Sequence, residues 1–140
     1  MSLVLDASMA LAWCFEDEQT PAVMGLLDRV TETGGVAPLL WPLEALNGLL
    51  AAERRRRVAP EKRATLAAFL RDLPITLDGD TAERAWDATA RLATHFQLTV
   101  YDATYLELAH RRRLPLASLD QDLRAAAKAS GIDVLGVASA

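Results

Sequence analysis

The chain has 140 residues, 51% of them hydrophobic, and a formal net charge of −4. That length fits one domain over residues 1–140, able to close a core without cross-links, and a single cysteine, Cys14, excludes an intrachain disulfide. No uncharged apolar window of about 18 residues exists, which argues against a membrane span, and the apolar stretch 3–15 carries Asp6 and no basic leader, unlike a signal peptide. A cytoplasmic location is therefore expected. The acidic balance is unlike that of a general nucleic-acid binder. Its distribution matters more, because the basic residues are nearly all arginines and gather at Arg54 to Arg57 and Arg111 to Arg113.

Leu3-Val4-Leu5 reads as a short buried parallel strand that ends at Asp6, and Ser8 as the N-cap of a following helix. Thr20-Pro21 opens a helix whose apolar positions are Val23, Leu26, Leu27 and Val30, stopped by Gly34-Gly35. A second strand is expected over 36–40. Pro42 starts a helix over 42–56, with Leu46, Leu49 and Leu50 on its apolar face, and Pro60 starts another over 60–73. A third strand covers 75–77. Asp80 or Thr81 caps a helix in which Trp86, Leu92 and Phe96 are apolar positions. Further elements are a helix over 101–112, a strand over 115–119, a helix over 120–130 stopped by Gly131, and a last strand over 132–135. Short apolar strands alternating with helices predict an α/β domain with a mainly parallel sheet.

Four acids sit in apolar surroundings: Asp6 after Leu-Val-Leu, Glu44 within Leu40 to Leu46, Asp102 within Leu98 to Ala103, and Asp120 after Leu-Ala-Ser-Leu. Burying an unpaired carboxylate costs several kcal/mol, so each needs compensation. For Asp102, Asp120 and Glu44 a position in the first turn of a helix is one explanation, since the dipole favours acids there. The other is a shared ion site, because ligands of open parallel sheets bind where strands end and their order reverses. An all-oxygen set suits Mg²⁺, with Mn²⁺ as a substitute, rather than zinc. Ser8, Asn47 and Asp122 are possible supporting residues around such an ion. Each also has an ordinary reading: Ser8 as an N-cap, Asn47 as a polar helix position, Asp122 as a helix-start acid. His95 and His110 lack metal-like spacing, and no phosphate-binding G-x-x-x-x-G-K-[ST] loop is present.

Val4-Leu5-Asp6-Ala7-Ser8, the segment 42–50 with Glu44 and Asn47, the run Thr99 to Ala109 around Asp102, and Leu116 to Leu123 around Asp120 resemble the four acidic motifs of PIN domains, most closely VapC-type toxins. The match spans nearly the whole chain in order. Ser118 stands where threonine is common. The resemblance implies a three-layer fold with a five-stranded sheet in order 3-2-1-4-5 and helices on both faces. It also implies a Mg²⁺-dependent endoribonuclease acting on single-stranded or loop RNA, a homodimer, and neutralisation by a cognate antitoxin. Asp6, Glu44, Asp102 and Asp120 would be both the catalytic residues and the metal ligands. Three tryptophans, Trp13, Trp41 and Trp86, likewise suggest apolar helix surface left over for a dimer contact.

A non-catalytic binding module of the same fold is the alternative. A phospho-receiver needs a lysine near its acids, and Lys128 sits too far into the last helix. A haloacid-dehalogenase-type phosphatase needs a second acid where Ser8 stands.

Overall fold

The structure is a computed structural model that describes residues 2–138. Its frame is a five-stranded, wholly parallel sheet made of β1 (Val4–Leu5), β2 (Gly35–Pro38), β3 (Ile75–Asp78), β4 (Leu116–Ala117) and β5 (Val134–Leu135), in the order β3-β2-β1-β4-β5. The order that the family resemblance implies holds. β1 is central: Val4 lies opposite Val36 on one side and Leu116 on the other. Helices cover both faces, so a strand there has no solvent side, and this explains its unbroken apolar run. Leu3, Val4, Leu5 and Leu116 are fully buried, each large side chain contributing about 1.5–3 kcal/mol by leaving water.

The helices are α1 (Ala7–Ala12), α2 (Pro21–Thr33), α3 (Trp41–Arg54), α4 (Pro60–Arg71), α5 (Thr81–Arg84), α6 (Ala90–Phe96), α7 (Val100–Arg112) and α8 (Gln121–Ala129). Thr20 caps α2 by accepting from the Val23 amide at 3.2 Å, with Pro21 at the first helical position. Gly34 then turns the chain out of α2 at φ +77°, where an added Cβ would press on the Pro74 carbonyl. None of the described helices is long and apolar enough to cross a membrane.

Three expectations change. Ser8 does not cap α1; Asp6 occupies that position, and Ser8 lies inside the helix. The helix predicted from Asp80 onward is interrupted by a π-turn at Ala85–Thr89. The wider turn shifts the phase of the apolar stripe, so Leu92 and Phe96 pack on the core while Trp86 is 92% exposed. Trp13 and Trp41 are core residues, and the Trp13 indole donates to the Val23 carbonyl at 2.8 Å. Two of the three tryptophans are thus used internally. Cys14 is also buried, its thiol pushed up to about 11 by desolvation.

An ion cluster ties the end of α7 to β3. Arg111 donates to both oxygens of Asp78, at 2.7 and 3.2 Å, and to Glu107 at 2.9 Å, while Arg112 donates to Asp78 at 2.9 Å. Asp78 and Glu107 are buried. The Arg111 guanidinium, with help from Arg112, holds the Asp78 carboxyl below its usual range. Removing one partner of a buried pair strands the other charge. Arg111→Ala is therefore expected to cost about 3 kcal/mol in urea unfolding, whereas Arg71→Ala, which breaks an exposed pair with Asp72, changes stability by less than about 1 kcal/mol.

Candidate active site

β1 and β4 are neighbours, and the chain reverses its order of strand addition between them, so the crevice at their carboxyl ends is where a ligand site is expected. Asp6 leaves β1 into that crevice and is only 5% exposed. One of its oxygens, Oδ2, accepts two hydroxyls: Ser8 at 2.5 Å and Ser118 at 2.8 Å. Each serine is fixed in turn by a backbone amide. Leu119 donates to the Ser8 hydroxyl at 3.0 Å and Asp120 to the Ser118 hydroxyl at 3.1 Å. Oδ1 takes part in neither bond. Burial pushes the Asp6 carboxyl above its usual range, the two serines pull it back, and Asp120 adds repulsion.

Glu44 projects from the first turn of α3. Its Oε1 accepts the hydroxyl of Tyr105 at 2.5 Å, and the Tyr105 side chain is fully buried. Tyr105 lies three residues after Asp102 on α7, so a single helix carries both an acid and the hydroxyl that steadies a second acid. Desolvation raises the Glu44 carboxyl, with repulsion from Asp6 and Asp102 adding to it. Asp102 is half-buried and pushed up to about 6, first by desolvation and then by Asp120 and Asp6, with a further contribution from Asp122. Asp120 caps α8 by accepting from the Leu123 amide at 2.9 Å.

The structure thus brings Asp6, Glu44, Asp102 and Asp120 into one electrostatic neighbourhood, and none of the four has an ion pair among the described residues. Asp120 is both the cap of α8 and a member of this acidic group. Ser8 joins the group by its bond to Asp6. Asp122 is exposed and acts only through space. Asn47 is exposed and makes no bond to Glu44; Tyr105 takes the steadying role instead. Tyr105 is not among the residues that stand out in the sequence, and Ser118 appears there only as a departure from threonine. The spacing of Tyr105 from Asp102 was the available signal.

Among the described residues no three acidic, histidine or cysteine side chains converge closely enough to grip one ion by themselves. A hard divalent ion held there would keep several waters and take only one or two of the carboxylates. Hard oxygen donors and uncompensated negative charge agree with such an ion.

A parallel α/β sheet with acids gathered at its switch point is the class of domain these features define. The chain belongs to the PIN-domain family: the family's profile matches residues 3–129, and PIN domains are generally nucleases. Among solved structures, PAE2754 from Pyrobaculum aerophilum is similar at 23% identity and a TM-score of 0.69, over 96% of this chain and 89% of that one. VapC20 of Mycobacterium tuberculosis, a sarcin–ricin loop cleaving toxin, is similar at 19% identity and a TM-score of 0.58, over 89% and 95%. No curated protein matches the sequence.

The raised carboxyls predict a pH dependence. A group with a folded pKa above its unfolded value stabilises the fold most below the unfolded pKa, and that contribution is lost as pH rises through the folded pKa. For Asp102 the window runs from the ordinary 3.8 to about 6. Without metal, Tm should be higher at pH 5 than at pH 7, and Asp102→Asn should shrink the difference. Scanning calorimetry in chelator measures it, and Asp78, whose carboxyl is held low, does not titrate in that window.

Proposed function

We propose that the chain is a Mg²⁺-dependent endoribonuclease of the VapC toxin type, with Mn²⁺ able to substitute, acting on single-stranded or loop RNA. The observation that carries the proposal is the group of four mutually repelling carboxylates, Asp6, Glu44, Asp102 and Asp120, with no cation to balance them among the described residues. Asp6 and Glu44 each have one oxygen tied by hydroxyl donors. An ion there would be held directly by one or two of the four carboxylates and through its own waters by the others. When bound, a divalent ion neutralises the scissile phosphate and lowers the pKa of an attacking water. Asp102 or Glu44 is the carboxylate that would help take that water's proton. Ser8 and Ser118 keep Asp6 oriented, and Tyr105 does the same for Glu44.

The partners follow from the same charge. An acidic crevice attracts an arginine or lysine, so a cognate antitoxin is proposed to neutralise the enzyme by placing a basic side chain there. Leu43, at 72% exposed, stands with Leu39, Leu46 and Leu77 as outward apolar surface around α3 and β3, which supports a homodimer. Light scattering at micromolar protein should return twice the chain mass; a monomer mass contradicts the dimer.

Asp6→Asn and Asp102→Asn should abolish cleavage of a mixed RNA pool while the protein stays folded; Asp122→Asn should cost far less. A non-catalytic module would show equal residual activity in wild type and Asp6→Asn purified side by side, and that result removes the nuclease proposal. Independently of activity, Mg²⁺ should raise Tm, by about 2.7 kcal/mol of added stability at a hundredfold excess over Kd. Chelator should reverse the gain and Asp6→Ala should remove most of it. Calorimetry without binding heat at millimolar Mg²⁺ excludes the ion site.

A further inference from the structure

The structure sorts the arginines that the sequence left as two equivalent runs. Arg111 and Arg112 are spent on Asp78. Arg57 is bound by Asp17 at 2.7 Å and Glu18 at 2.8 Å, with its guanidinium 4.0 Å from the centroid of the Phe15 ring. Arg55 makes no ion pair among the described residues, and it lines a groove between α1 and α3. That groove has a volume of about 370 Å³, and Ser8 and Asp120 of the acidic crevice line it too. Leu11, Phe15, Ala51 and Leu119 give it an apolar wall.

Helix geometry explains the layout. Glu44, Gly48, Ala51, Ala52 and Arg55 fall at spacings of four, three, one and three, which is one face of α3. The acidic crevice and Arg55 are therefore joined along one helix face, about 16 Å apart along its axis. The face between them is built of small residues. At Gly48 an added Cβ would meet Leu11 at 2.4 Å, so α1 and α3 approach closely there.

We infer that this groove receives the RNA strand on one side of the scissile phosphate, with Arg55 holding a phosphate more than one nucleotide away. The inference rests on the nuclease reading for its substrate. Its own support is the free guanidinium, the continuity of the groove with the crevice, and an apolar wall suited to bases and ribose. Glu18 is the one other acid on the groove besides Asp120, and its charge is already taken by Arg57. Arginine suits phosphate because its planar fork gives paired donors. A single strand fits better than a duplex, since unstacked bases can lie against apolar side chains.

The test separates binding from cleavage. A fluorescein-labelled random-sequence RNA pool is titrated in chelator against wild type, Arg55→Gln, Ala51→Leu and, as a control off the groove, Arg54→Gln. Arg55→Gln should weaken binding roughly tenfold and lower the slope of log Kd against log salt by about 0.7. Ala51→Leu, which fills the groove, should weaken binding without changing the salt slope, and Arg54→Gln should bind as wild type does. In Mg²⁺ the Arg55→Gln loss should fall on KM rather than kcat. If wild type cleaves RNA while both groove variants bind and cleave like it, the groove assignment is wrong and the nuclease reading survives. If wild type does not cleave yet binds in an Arg55-dependent manner, the nuclease reading fails and the groove stands. If Ala51→Leu turns a dimer into a monomer with RNA binding unchanged, the groove is a protein interface and the inference falls.

Discussion

The buried carboxylate of Asp6 is the constraint around which the rest is arranged. It sits at the end of the central strand, where desolvation disfavours its charge, yet the proposed ion site needs that charge. Two serine hydroxyls reconcile these demands by donating to a single oxygen. Both serines depend on backbone amides of the segment after β4, so the orientation of Asp6 depends on β4 lying beside β1. Sheet order and site geometry are in this sense one property. A strand order that separated β1 from β4 would leave Asp6 buried and unsatisfied, at a cost of several kcal/mol.

The opposite flank is organised by α7. Its first turn supplies Asp102, its next turn supplies Tyr105 to Glu44, and its last turn is anchored to β3 through Arg111 and Asp78. Seven consecutive residues, Ala103 to Ala109, are buried, which is why the helix shows little amphipathic pattern despite its charged ends. A helix fixed at its far end by a buried ion pair is a stiff mount for the acid at its near end. The positions of Asp102 and Glu44 are then set by core packing rather than by loop conformation, which is what a preorganised site requires.

Much of this was legible in the sequence. The apolar runs at 3–5 and 115–119 read as interior parallel strands, and an acid follows each. Thr20-Pro21 and Pro60 fixed helix starts through caps and the proline preference for the first turn. What escaped the sequence was whatever depends on tertiary partners. Ser8 looks like a cap because its local spacing permits one, but Asp6 reaches that position first. Trp86 fits a helical stripe until the π-turn moves it outward. Glu44 and Tyr105 are sixty-one residues apart in the chain, and no local pattern links them. The arginine runs looked alike because a sequence shows charge and hides which carboxylate consumes it.

Cys14 carries a different consequence. Its thiol is the sole one in the chain, it is sealed in the core, and desolvation pushes its pKa to about 11. Burial disfavours the nucleophilic thiolate at neutral pH. The folded protein is therefore inert to alkylating reagents and mild oxidants, and reaction at Cys14 reports the moments when the core opens. The chain carries its own clock for unfolding. Because α1, which precedes Cys14, also carries Ser8, the rate of that clock reads the security of the very helix that steadies Asp6.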